Sequence, residues 1–76
     1  MTAQLINIDL LVRHGYVITM DNQRRIISDG AVAISDRRIV EVGEDHDLAA
    51  RYLPKRTIDA GGAPVHPGLI ECHMHA

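Results

Sequence analysis

The sequence predicts a mainly β chain that ends in one strand of a different kind. Three observations carry this. Short apolar stretches alternate at a period of two, as over Ala31–Ile34 and Ile39–Val42. Turn-forming residues separate them at short intervals, at His14-Gly15, Ser35-Asp36 and Gly61-Gly62. The last stretch, Leu69-Ile70-Glu71-Cys72, lacks clean alternation and reads as buried on both faces, like a parallel strand of an α/β sheet.

Taken in order, 10–13 (Leu-Leu-Val-Arg) and 16–20 (Tyr-Val-Ile-Thr-Met) read as two short strands, with His14-Gly15 as a tight hairpin between them. Residues 21–25 form a polar loop, and Ile26-Ile27 adds a little extended structure. Residues 31–35 and 38–42 form the clearest hairpin, turning through Ser35-Asp36-Arg37-Arg38. A two-residue turn wants glycine at its second central position, where φ is positive, so an arginine there implies strain or a longer turn. Asp45 to Leu53 is the one helix candidate. Asp45 is placed to cap it, Leu48 and Tyr52 share a face, and Pro54 stops it. Asp47 and Arg51, four apart, can pair for about 0.3 kcal/mol. Residues 57–60 are a short strand, ended by Gly61-Gly62. Residues 64–68 are stiff and turn-rich, and 69–75 are the final strand.

Composition bounds the function. The 76 residues allow one small domain, and a chain of this size buries only about 60% of its unfolded surface. Phe and Trp are absent and there are two Tyr, so few large side chains can anchor a core. A net charge of −2, with both signs mixed along the chain, gives no nucleic-acid stripe and no polybasic membrane patch. No apolar run approaches the roughly 18 residues of a membrane span, and the first residues lack the basic start of a secretory signal. The single cysteine, Cys72, excludes an intrachain disulfide and suits a reducing cytoplasm.

The most informative stretch is Pro67-Gly68-Leu69-Ile70-Glu71-Cys72-His73-Met74-His75. Strand side chains two apart point to one face, so His73 and His75 present two imidazoles side by side, with Glu71 on the same face. Neutral imidazole is a good zinc ligand and also binds iron, cobalt or nickel. A catalytic zinc usually takes three protein ligands plus water, so the pair is an incomplete set and the chain reads as part of something longer. At the C-terminal end of a barrel strand, such a pair would sit where barrel enzymes place their active sites. A metal there lowers the pKa of bound water towards 7, giving a hydroxide able to attack an amidine-like ring carbon. The bland reading, a strand end with two partly exposed histidines, leaves the shared face of Glu71, His73 and His75 unexplained. His46 reads as a solvated helix residue, His66 as structural, and Cys72 and Met74 as packing.

These residues resemble the first metal motif of the amidohydrolase superfamily: Pro-Gly, two mostly apolar residues, often Asp, one variable residue, then His-x-His. Upstream, Asp9-Leu10-Leu11-Val12-Arg13-His14-Gly15, Val17-Ile18-Thr19-Met20-Asp21, Asp29 to Ile34, Arg38 to Gly43 and Ile58-Asp59-Ala60-Gly61-Gly62 resemble the family's N-terminal strands in order. Thr19-Met20-Asp21 is closest to the branch of chlorohydrolases, guanine deaminase and adenosine-derivative deaminases. The resemblance implies that residues 1–66 are the N-terminal part of a composite β-sandwich. It makes 67–76 the first strand of a (β/α)8 TIM barrel, which needs about 250 residues in all. It also implies a metal-dependent hydrolase of C–N or C–Cl bonds that deaminates an aminated nitrogen heterocycle. His73 and His75 would be its first two metal ligands, with zinc (or iron) as one ion rather than two. Glu71 stands where the family often has Asp, as a second-shell candidate one methylene longer. The later ligands and the proton shuttle have no counterpart here, so this segment alone contains no catalytic residue and is expected to be inactive. The implied partners are a small-molecule substrate and the remainder of the same protein, in a cytoplasmic homo-oligomer with no nucleic acid or membrane bound. The rival readings are a cyclic-amide hydrolase of the same superfamily, a non-catalytic β interaction module with an incidental His pair, and a fragment with no role of its own.

Overall fold

The computed structural model describes residues 4–19 and 25–67. Its elements are β1 (Ile6–Ile18), β2 (Ile26–Ser35), β3 (Arg38–Glu44), α1 (Asp45–Arg51), β4 (Tyr52–Asp59) and β5 (Pro64–Val65). They make one sheet in the order β3-β2-β1-β4, with β5 pairing β1 as well. The β1-β2-β3 meander is antiparallel, whereas β4 and β5 run parallel to β1. β4 lies along Ile6–Arg13 and β5 along Tyr16–Val17. The mainly β reading holds. The final strand, 69–75, lies outside the described residues, and the barrel-strand reading with it.

Both faces of the sheet carry buried clusters. On one, α1 lays Leu48 over Ile8, Leu11, Ala31, Ala33 and Tyr52. On the other, Val12, Val17, Ile27, Val32, Ile34 and Val65 pack together. The period of two in β2 sorts them: the small Ala31 and Ala33 let the helix come close, and the branched Val32 and Ile34 fill the opposite face. Helix approach also needs Gly43, where an added Cβ would stand 2.8 Å from Leu48 Cδ1.

The expected hairpin at His14-Gly15 is absent. Residues 10–13 and 16–18 belong to one strand, β1, interrupted by a bulge. Val12 pairs with Val32 and Gly15 with Gly30, so Arg13 and His14 together oppose Ala31. Between Gly15 and Val17 the extra residue is instead on β2, where Ser28 and Asp29 face Tyr16. The two irregularities cancel, so the buried faces stay in register at both ends of the pair. His14 occupies the bulge position with φ of 56°, a place that usually goes to glycine.

The hairpin of β2 and β3 is as expected, and its turn has two residues. Asp36 (φ 54°) and Arg37 (φ 64°) are both left-handed, and Asp9 Oδ2 accepts the Asp36 N–H at 2.8 Å. A left-handed non-glycine residue costs about 1–2 kcal/mol. Arg37→Gly, which gives the favoured Asp-Gly pair, should therefore stabilise the hairpin by about 1 kcal/mol. A chemical-denaturation midpoint no higher than wild type would contradict this.

The helix is two residues shorter than expected. It ends at Arg51, and Tyr52 is already extended (φ −113°, ψ 145°) and paired with Ile6 of β1. The residue before a proline avoids the α region, so Pro54 acts through Leu53. Pro54 then sits inside β4, which is longer than the expected 57–60. An edge strand tolerates a residue without an N–H. Asp45 is not the cap either: Glu44 holds that position without a side-chain bond, and Asp45 is 3% exposed. The Asp47–Arg51 pair forms at 3.1 Å, and His46 is exposed, both as expected.

Candidate functional site

His73, His75 and Glu71, the candidate metal ligands and their neighbour, lie outside the described residues, as do Cys72 and Met74. The structure does describe the path that leads to them. After β4, Ala60 to Ala63 form a tight turn, closed by Ala63 N–H donating to Ala60 O at 3.0 Å. Gly61 (φ 61°) and Gly62 (φ 84°) supply the two positive φ angles it needs. The Asp59 carboxylate accepts the Gly61 N–H at 2.8 Å. The turn is fastened to β1 at the bulge. Ala60 N–H donates to Arg13 O (2.8 Å), Gly62 N–H to His14 O (2.7 Å), and Tyr16 N–H to Ala63 O (2.9 Å). β5 follows, with Val65 buried against β1, and Pro67 is the last described residue.

Sequence reasoning missed the charged cluster on the other side of the same bulge. Arg13 donates through Nε to Asp45 Oδ1 (3.1 Å) and through Nη2 to Asp45 Oδ2 (2.8 Å). The His14 N–H donates to Asp45 Oδ1 at 3.2 Å, and His14 Nδ1 lies 3.0 Å from Asp29 Oδ1. The cluster thus joins the β1 bulge, the β2 bulge and the start of α1. Hydrogen bonds from Arg13 hold the Asp45 carboxyl below its ordinary range. The Asp29 carboxylate, then Asp45, raises the exposed His14 imidazole above 6.5.

The ligand-type atoms of His14, Asp29 and Asp45 lie within 4.8 Å of one another, a spacing compatible with a metal ion. The donor chemistry opposes it. Both oxygens of Asp45 already accept from the Arg13 guanidinium, whose charge repels a cation at that point. The group is an ion-pair network. A second network stands at the other end of α1, where Arg51 grips Glu41 through Nη1 and Nη2 and Tyr52 Oη donates to Glu41 Oε1 at 2.7 Å. Arg51, then Tyr52, holds the Glu41 carboxyl below its ordinary range.

The two shifts at the bulge set a pH window. Asp45 is depressed when folded, so its contribution is present above about 3.8 and lost as pH falls through the folded value. His14 is raised, so its contribution is present below about 6.5 and lost as pH rises through the folded value. The stabilisation from the cluster should therefore be greatest between these limits. Substituting His14→Asn, which suits the left-handed backbone, should lower the melting temperature near pH 5.5 and have less effect above pH 7.5. A difference independent of pH would refute the assignment.

Comparison with known proteins gives the following. Residues 30–52 match the family described as imidazolonepropionase-like composite domain, bacteria. The chain is 47% identical over 68 residues to a 5-methylthioadenosine/S-adenosylhomocysteine deaminase of Syntrophobacter fumaroxidans, covering 90% of this chain and 16% of that protein. It is 40% identical over 68 residues to the imidazolonepropionase of Paracoccus denitrificans, covering 86% of this chain and 17% of that one. Among solved structures, it matches an adenosine deaminase from Xanthomonas campestris with bound zinc. The TM-score is 0.74 and the identity 33%, over 80% of this chain and 14% of that one. The chain thus spans about one-sixth of the length of these relatives.

Proposed function

We propose that this chain is the N-terminal part of an enzyme of the amidohydrolase superfamily, a zinc-dependent deaminase acting on an adenosine derivative. The observation that carries this is the match of the described sheet to the zinc-bound adenosine deaminase at a TM-score of 0.74. The relatives named as deaminases of 5-methylthioadenosine, S-adenosylhomocysteine and 5'-deoxyadenosine support the purine branch. The imidazolonepropionases of comparable identity support the broader class, hydrolysis of a C–N bond.

In this reading residues 1–66 belong to the composite β-sandwich and 67–76 to the first barrel strand. Its sandwich partners come from the remainder of the same protein. β4 pairs only with β1 among the described residues and leaves Leu53 and Ile58 about half exposed, a surface that further strands would cover. His73 and His75 would hold the metal through neutral imidazoles, a donor set that fits zinc, with the later ligands supplied from beyond this segment. By the period of two, Glu71 is a candidate second-shell neighbour of the pair. Zinc, when bound, supplies Lewis acidity and lowers the pKa of water towards neutrality. One ion, a cytoplasmic location and a homo-oligomeric enzyme complete the proposal.

The test is made on the full-length gene product. Its zinc content is measured, and ammonia release is followed with adenosine, 5'-deoxyadenosine, 5-methylthioadenosine and S-adenosylhomocysteine. Release from at least one is expected. A zinc-loaded protein inert towards all four, yet hydrolysing an imidazolone ring, would move the function to the other set of relatives.

A further inference from the structure

We propose that the open edge of β3 is an interface between two copies of this chain. In it, the basic tip of the β2-β3 hairpin of each copy lies against Glu44 of the other. This rests on the homo-oligomeric reading above and names a surface that would serve it. Among the described residues β3 pairs with β2 alone, so its outer side faces away from the sheet.

Charge is divided along this edge. Arg37 and Arg38 stand where β3 begins, and Glu44 stands where it ends. All three are exposed, and none forms an ion pair or a side-chain hydrogen bond among the described residues. Arg13 and Arg51, by contrast, are both engaged in ion pairs within the chain. Arg38 and Glu44 are six residues apart, about 20 Å along a strand, too far to neutralise one another. A second copy running parallel would set like charge against like at both ends. One running antiparallel sets opposite charges together at both ends. That is the arrangement a two-fold axis gives, with each contact made twice and the assembly closed at two copies.

The middle of the edge is apolar. Val40 is 49% exposed. Ala33 pairs with Glu41 and Ile34 with Ile39, so Val40 is the extra residue of a bulge and has no partner on β2. With the axis near Glu41, Val40 of one copy comes against Val42 of the other. Glu41 itself brings no free charge to the axis, because Arg51 and Tyr52 of its own chain already hold its carboxylate. A bulge twists an edge out of line, so the copies meet through side chains rather than through one continuous ladder. Seven residues a side are fewer than the roughly 20–30 of a standard interface, so this edge is one part of a larger contact in the whole enzyme.

The experiment follows self-association of the full-length protein by sedimentation, at low and high salt. Arg38→Glu and Glu44→Arg each place like charges together at both ends of the contact. Each should weaken association by about tenfold or more, and high salt should weaken it in the wild type. The double variant, Arg38→Glu with Glu44→Arg, restores opposite signs between copies and should associate nearly as the wild type does. The two positions do not touch within one chain, so only a contact between copies yields that rescue. Single variants that associate as the wild type does, or a double variant no better than the singles, would overturn the proposal. A reversal that lowers the melting temperature without altering association would also overturn it, since the remainder of the chain would then cover β3. If a reversal variant does not fold, Val40→Lys carries the test at the middle of the edge: weaker association supports the proposal, and unchanged association overturns it. A wild-type protein monomeric at every concentration would remove the homo-oligomeric reading and the proposal together. An oligomer indifferent to all these variants would remove the proposal alone.

Discussion

Replacing His73 or His75 by alanine in the full-length protein should leave it folded, below stoichiometric zinc, and slower in turnover by more than about a hundredfold. The size follows from coordination chemistry. A catalytic zinc usually has only about three protein ligands, so losing one removes a large part of the set and opens a position to water. Loss of a group that only orients a ligand already costs 10–100-fold in affinity or activity, and loss of the ligand itself should exceed that. Glu71 provides the internal comparison. As the proposed second-shell neighbour, Glu71→Gln should fall within the smaller, outer-shell range. Circular dichroism of all three variants should match wild type, because each change is at a position proposed to serve the metal rather than a packed core. Full zinc content in both His73→Ala and His75→Ala would sink the ligand assignment.

What the sequence disclosed, and what it withheld, follows the range of the interactions. The β2-β3 hairpin was legible because alternation and turn are both local, and even the strain at Arg37 was foreseeable from the turn rule. His14-Gly15 was misread because a glycine after an apolar run marks a bulge and a hairpin alike. The difference lies in the partner: β1 stays straight because β2, starting at Ile26, pairs with it on both sides of the bulge. The helix end was misread for a similar reason, since Tyr52 leaves the helix to join a ladder with Ile6, far away in sequence. Asp45 looked like a cap because it stands at the head of a helical run. Its true partner, Arg13, is 32 residues upstream. The His-x-His pair, by contrast, was legible at once, because a strand puts residues two apart on one face whatever it packs against.

Leu48→Ala should destabilise the described fold by about 3 kcal/mol. Seven residues are too few for a helix to persist on its own, so α1 stands by what it packs against. Leu48 is its one fully buried apolar residue, set into the cluster of Ile8, Leu11, Ala31, Ala33 and Tyr52. The small alanines beneath cannot move up to fill the space, which places the cost above that of the removed carbons alone. Native-state amide exchange reads the effect locally, whatever else the full protein contains, and residues 31–34 should exchange on the order of a hundredfold faster. Gly43 tests the mechanism. Gly43→Ala alone should destabilise, because its Cβ would meet Leu48 Cδ1 at 2.8 Å. In the Leu48→Ala background that Cδ1 is gone and the new methyl has room, so the second change should cost almost nothing. The pair should be coupled by about 1 kcal/mol, well beyond the few tenths expected of independent sites. Strict additivity would mean that the helix does not rest on Gly43 through Leu48, and that another contact holds α1 to the sheet.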